Sequence, residues 1–244
     1  MTNNDQDQAS GKGHGQFHRR MLEAKGGVFA VATTIAILIG GLVEIIPMYT
    51  AGAGPETGDW VTPYTPLEVA GRDIYIREGC YLCHSQWVRP MRAEVLRYGE
   101  WSRAPEYQFD RPFLLGSRRM GPDLHRVGQK YPDAWHYEHM RDPRSTSPGS
   151  VMPPYPWLLR ATYDPDDIQA SVRALKKSGV PYTEADVEGV SSSLTTQGQQ
   201  IVASLADSNL ETTVDKEIVA LIAYLQRLGR EGKAYLATQQ GGGE

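Results

Sequence analysis

The sequence predicts an all-α protein in two parts, one N-terminal transmembrane helix and a soluble helical domain. Three observations carry this. The run "GVFAVATTIAILIGGLVEIIPM", Gly27 to Met48, is apolar except for Glu44, and about 20 apolar residues let a helix cross a bilayer. Two later segments, Thr65–Glu78 and Asp215–Gly229, repeat apolar residues at the helical period. Nowhere does the chain show the strict alternation of a half-buried strand.

Composition narrows the function classes. The 244 residues suffice for one sizeable domain plus an anchor, or for two small domains. A net charge of -4 argues against a nucleic-acid binder, which would carry a basic face. With 25 glycines and 16 prolines, much of the chain should be loop. There are only two cysteines, two residues apart, so a disulfide framework is excluded.

Residues 1–25 are polar and expected to be a disordered N-terminus. The span follows, over 26–49. It is too long for the apolar core of a cleavable signal, and "YTAGAGPETG" is a poor cleavage match. It has no polar face, as a soluble core helix would need. Lys12, Arg19, Arg20 and Lys25 precede it, whereas Glu56 and Asp59 follow. The excess of positive charge sets the N-terminus in the cytoplasm. The remainder then lies on the outer face of a bacterial inner membrane, in the periplasm.

A Gly/Pro-rich linker over 50–64 leads to a domain over 65–232. That domain opens on "TPLE", with Thr65 as N-cap, Pro66 at the first helical position and Glu68 closing a capping box. Leu67, Ala70, Gly71, Ile74 and Glu78 share one face, and this helix delivers the chain to Cys80. Residues 88–163 read as loops and short helices. Residues 164–206 read as helical patches broken by "SGVPYT", with no catalytic motif and no repeat. In the last clear helix, Ile218, Leu221, Ile222, Leu225 and Leu228 form an apolar stripe, and Gly229 suits the position after its C-cap. Residues 233–244 are expected to be a flexible tail.

The chemistry sits in "CYLCH", Cys80 to His84. A zinc site would need two further ligands at fixed spacing, and no other cysteine exists. A redox dithiol would need a βαβ setting, but the segment before Cys80 is helical. Covalent haem needs this order of groups: two thiols for the two vinyl groups, then an imidazole for the iron. One motif means one haem c. His84 is the expected proximal ligand, and its other ring nitrogen needs an acceptor to fix its orientation. "GPDL", Gly121–Leu124, resembles the segment that supplies it in class I cytochromes c through the carbonyl of Pro122.

The sixth ligand must come from elsewhere. Met91 is close to His84 in an Arg-rich stretch, Met120 adjoins the proximal Gly-Pro, and Met140 lies in a periodic segment. His125, His136 and His139 could ligate in principle, though lone histidines are more often core or surface residues. Met152 stands in "PGSVMPPYPW", where prolines stiffen the loop that would hold its thioether. It is the expected ligand, and His/Met ligation favours electron transfer over oxygen binding. Tyr155 and Trp157 are expected to pack on the haem edge.

The domain resembles a class I cytochrome c, whose first and last helices cross closely. Ala70 and Gly71 opposite Leu221, Tyr224 and Leu225 would allow that crossing. Beyond this, "GLVEIIP", "GCYLCHSQWVRPMRAEVLRYGEWSR", "GPDLHRVG", "KYPDAWHYEHMRDPRS" and "PGSVMPPYPWLL" resemble the monohaem cytochrome c subunit (subunit II, FixO/CcoO type) of cbb3-type cytochrome c oxidases. The likeness covers roughly Gly41 to Leu159 and returns weakly at "SGVPYT" and in the last helix. Met120 departs from the family's usual small polar residue and puts no ligand in doubt.

The resemblance implies a relay within an oxidase. Electrons would come from a dihaem cytochrome c subunit or a soluble cytochrome c. They would pass to the haem b of the catalytic subunit, which reduces oxygen and pumps protons. This chain has no oxygen-reducing site of its own. Two other readings stay open, an anchored cytochrome c of another complex such as nitric oxide reductase, and a haem sensor or structural assembly subunit.

Interface residues are also proposed by pattern. Ala32, Ala36 and Gly40 are spaced by four, as where helices approach closely in lipid. Glu44 continues their stripe and is expected to face a partner subunit. Arg89, Arg92, Arg97 and Arg103, interleaved with Trp87 and Trp101, suit haem propionates or interface carboxylates. A solvated face balanced by Glu94, Glu100 and Glu106 is the competing reading.

Overall fold

The computed structural model describes residues 18–20, 24–50, 58–116 and 118–241. The expectations for the rest of the N-terminus, for linker residues 51–57 and for residues 242–244 lie outside them. The chain forms two units, Met1–Pro55 and Glu56–Glu244.

The first unit contains α1, Gly26–Thr50. Its 25 residues make a helix about 37 Å long, and Gly26–Pro47 is long and apolar enough to cross a membrane. The helix runs three residues past Pro47. A proline in the last turn removes only one backbone bond, so the turn survives. Ala32, Ala36, Gly40 and Glu44 are all exposed on α1.

The second unit is helical, and among the described residues the nearest thing to a strand is an isolated bridge between Thr162 and Lys216. Its centre is the crossing of α2, Pro66–Arg77, with α9, Glu217–Arg227. The capping box of α2 forms as expected: Glu68 N donates to Thr65 Oγ1 at 3.3 Å, and Thr65 N donates to the Glu68 carboxylate at 2.8 Å. Glu68 is buried, and its carboxylate also meets Arg227 at 3.5 Å and Arg230 at 3.4 Å. The residue that closes the capping box of α2 thereby also holds the end of α9.

Gly71 makes the close approach possible. A Cβ there would stand 2.0 Å from the Ala220 carbonyl oxygen and 2.7 Å from Tyr224 Cβ. Nearly every residue of α9 is buried, and the Tyr75 and Tyr224 rings tilt together at 5.4 Å. Gly229 follows α9 with φ +73°, the expected C′ geometry.

The shorter helices are α3, Arg92–Tyr98; α4, Asp133–Arg141, which packs on α9; and the single turn α5, Pro143–Thr146, which packs on α4. The region 164–206 folds as α6, Pro165–Lys177, α7, Glu184–Glu188, and α8, Val190–Ala206. Helices α6 and α8 bury Ile168, Val172, Leu194, Ile201 and Leu205 and pack on α2. "SGVPYT" is the connection, from which Tyr182 Oη donates to the Tyr64 carbonyl at 2.6 Å.

Both ends of the domain are more ordered than composition suggests. Helix α10, Arg230–Gly241, occupies most of the stretch expected to be a flexible tail. Tyr235 stacks on Trp60 at 4.5 Å, Lys233 donates to the Gly128 carbonyl, and Glu231 accepts Thr62 N at 3.0 Å. The same contacts draw residues 58–64, expected to be linker, into the domain.

Candidate functional site

The site begins where α2 ends. Gly79 takes φ +69°, and Cys80–Leu82 form a 3-10 turn. Cys83 N and His84 N both donate to the Cys80 carbonyl, at 3.1 and 2.9 Å. One tight turn therefore carries both thiols and the imidazole. Both cysteines are free and half-buried. Burial, aided by the Glu78 charge, pushes the Cys80 thiol up to about 12. It stays protonated at neutral pH, unlike the low-pKa thiol of a reactive dithiol.

His84 is held by the loop that sequence proposed. Its Nδ1 donates to the Pro122 carbonyl at 2.9 Å. Burial lowers its pKa, so the ring is neutral and Nε2 keeps its lone pair. Gly121 lies flat against the ring: a Cβ there would sit 2.3 Å from His84 Cε1. Asp123 stitches the same loop to the chain beyond His84. It accepts from Ser85 Oγ at 2.6 Å, Trp87 N at 2.8 Å and His125 N at 2.9 Å.

Met152 is half-buried and packs against the main core. Its loop is tied to α4 where Tyr155 N donates to the Met140 carbonyl at 2.8 Å. It is tied back to the Cys80 turn where Trp157 Nε1 donates to Glu78 at 3.1 Å. Tyr155 and Trp157 meet edge-on at 5.2 Å. Burial raises the Tyr155 pKa, and the two nearby thiols raise it further. Cys80, Cys83, His84, Pro122, Tyr155 and Trp157 thus belong to one neighbourhood, and Met152 stands three residues before Tyr155 on the same loop.

The alternative ligands separate. Met91 and Met120 are exposed, and Met140 is buried in the core. His125 is sealed in a polar knot with Ser102, Tyr107 and Glu106, where burial lowers its pKa to about 3. His136 is buried edge-on to Tyr131 and Trp135, its pKa lowered by burial to about 4. His139 is half-buried on α4.

The arginine cluster divides as well. Glu94 pairs with Arg89 and, at 2.8 Å, with Arg119, and these bonds hold its carboxyl at about 2. Arg97 lies over Tyr98, Arg103 lies over Trp101, and Arg92 is exposed at the start of α3. Arg119, which also donates to Ser85 Oγ and the Trp87 carbonyl, is the partner that sequence reading missed. So is Asp123. Neither carries a local signal, because the residues they tie down beside His84, Ser85 and Trp87, lie more than thirty residues away in the chain.

This donor set fits a covalently held haem. Two unpaired thiols, a neutral imidazole with an anchored Nδ1, and a glycine that leaves one ring face clear stand together. Among the described residues, no group of three or more His, Cys, Asp or Glu could hold a bare metal ion. The family model for the cytochrome c oxidase mono-heme subunit, FixO, matches residues 19–231. The chain belongs to the FixO family. The match takes in α6–α8, which the motif resemblance left nearly uncovered. A comparison with curated proteins returns no match.

Proposed function

We propose that this FixO-family chain is the membrane-anchored monohaem c subunit of a cbb3-type oxidase. In this reading α1 crosses the inner membrane once, with the N-terminus cytoplasmic and the domain periplasmic. The observation that carries it is the His84 Nδ1–Pro122 carbonyl bond directly behind the two thiols.

Cys80 and Cys83 would hold the cofactor through thioether bonds. His84 Nε2 would bind the iron, because Nδ1 carries the proton and Pro122 fixes the ring. The Met152 sulfur would supply the other protein ligand. Tyr155 and Trp157 would pack on the haem edge beside the thiols. When bound, the haem supplies a one-electron iron couple whose potential a thioether ligand raises. The chain receives electrons from a dihaem cytochrome c subunit or a soluble cytochrome c and delivers them to the haem b of the catalytic subunit. It contributes no oxygen-reducing group. Ala32, Ala36, Gly40 and Glu44 face partner helices in the membrane, and Arg92 is available to a partner at the surface.

The test is purification through a tag on this chain in mild detergent. Haem c together with b-type haems, two larger partners and oxygen uptake is the expected result. Haem c alone, or with nitric oxide reductase activity, overturns the reading.

A further inference from the structure

The chain that carries His84 and the loop that holds its ring run side by side. Gln86 N donates to the Leu115 carbonyl at 2.8 Å, Gly121 N to the Cys83 carbonyl at 3.0 Å, and Leu124 N to the Ser85 carbonyl at 2.8 Å. They also touch at Gly116, where a Cβ would stand 2.8 Å from the His84 carbonyl oxygen. The bond from His84 Nδ1 to the Pro122 carbonyl is one more rung between the same two segments. Its length therefore follows from how far apart they are held.

Two side chains of the loop hold them, and both grip the same two residues. Asp123 accepts from Ser85 Oγ at 2.6 Å and from Trp87 N at 2.8 Å. Arg119 Nε donates to that Ser85 oxygen at 2.7 Å, and Arg119 Nη2 donates to the Trp87 carbonyl at 2.6 Å. Both backbone groups of Trp87 are thus bracketed, and the Ser85 hydroxyl links arginine to aspartate. Ser85 and Asp123 are buried. The guanidinium is fixed on its other side by α3, through Glu94 at 2.8 Å and the Tyr98 ring at 5.5 Å. A rigid planar fork makes these bonds together, and a lysine ammonium does not reproduce it.

We propose that Arg119 is a positioning residue for the His84 imidazole: with Ser85 and Asp123 it sets the reach from Nδ1 to the Pro122 carbonyl, and so the electron density that Nε2 offers to iron. The proposal rests on the reading that His84 ligates haem iron. A hydrogen bond from the second ring N–H raises the basicity of a ligating imidazole. A more basic ligand favours the oxidised metal, and hydrogen bonding around the ligands is one lever on a haem potential. Loosening the bracket weakens His84 as a donor and raises the midpoint potential.

The test is a redox titration of haem c in the intact detergent-purified assembly, for Arg119→Lys and Ser85→Ala, taken as variant-minus-wild-type differences. Both variants conserve charge. Lysine loses the fork, and alanine breaks the link between Arg119 and Asp123. Each should raise the midpoint potential of one haem by at least a twofold change in its redox equilibrium, about 18 mV for one electron. A role in stability alone would lower the unfolding midpoint and leave the potential where it was. An unchanged or lowered potential in Arg119→Lys leaves arginine with charge or stability as its only role and overturns the proposal. The same result in Ser85→Ala removes the link to Asp123 and overturns it too. If Arg119→Lys retains no haem, Ser85→Ala decides by the same criterion. A wild-type chain that carries no covalent haem on a denaturing gel instead overturns the proposed function, a different failure from these.

Discussion

The two sides of the candidate site are built differently. On the His84 side, one loop is fastened at several points. Gly121 N donates to the Cys83 carbonyl at 3.0 Å, Pro122 accepts from the ring, Leu124 N donates to the Ser85 carbonyl, and Asp123 accepts three further bonds. On the Met152 side, the loop hangs from one backbone bond to α4 and one side-chain bond to Glu78. Val151 beside it is 86% exposed. A buried, multiply bonded loop opens only with the domain, whereas an exposed, sparsely bonded one opens locally. Under the proposed function, the His84 side is therefore the more permanent and the Met152 side the first to open.

That contrast can be broken most forcefully at Gly121. Gly121→Ala drives a methyl into the His84 ring, and overpacking of this kind costs about 1–3 kcal/mol. The expected outcome is a large loss of haem per polypeptide, read by pyridine haemochrome, because the clash falls on the ligand itself. Retention of full haem content would mean that this loop is no more fixed than its opposite. Next comes Asp123→Asn, which turns an amide N–H toward groups that also donate. Such a mismatch costs about 1–3 kcal/mol, and the midpoint of thermal unfolding should fall by about 2–4 °C per kcal/mol.

A smaller, pH-resolved effect belongs to Glu94, which secures Arg119 beside Ser85. Its carboxyl pKa is lowered in the folded state, chiefly by Arg119 and then by Arg89. Its contribution is therefore complete above the unfolded-state value, about 4.3, and is lost as pH falls toward about 2. Wild type and Glu94→Gln should differ in denaturant stability by a constant amount above pH ~5 and converge below it. A difference that grows on acidification would reverse the assignment. The smallest effect is expected from Trp157→Phe, which removes the indole donor to Glu78. A neutral donor to a carboxylate is worth about 1.5–3 kcal/mol at most, and Trp157 is exposed. The methionine–iron band should disappear at lower denaturant, while global unfolding stays nearly unchanged. Parallel shifts of both would join the two sides into one unit.

What the sequence made legible follows the same division. The capping box at Thr65 and Glu68, the stripe of α9, Gly229 and the thiol–imidazole order are local patterns, and each stands where expected. Gly71 was legible because only a residue without a side chain allows so close a helix crossing. The partners of Glu94, Asp123 and Glu78 were not legible. Many arginines and acids were available, and only the fold selects among them. Helix α10 was hidden for a related reason: "QQGGGE" reads as a frayed end, while Tyr235 and Lys233, which dock the helix, have partners at Trp60 and Gly128.

The clasp of Glu68 with Arg227 and Arg230 has a consequence for the order of events in biosynthesis. Helix α2 and the thiol turn are made early, whereas the helix that covers Gly71 and neutralises Glu68 arrives only after residues 85–216 have followed. For that interval the newly made chain displays an uncovered helix face and two accessible thiols. Under the proposed function, haem attachment would have its widest window then, before the C-terminal segment closes the domain. Cofactor loading and domain closure would in this way be separated in time by the distance along the polypeptide between the two helices that must finally meet.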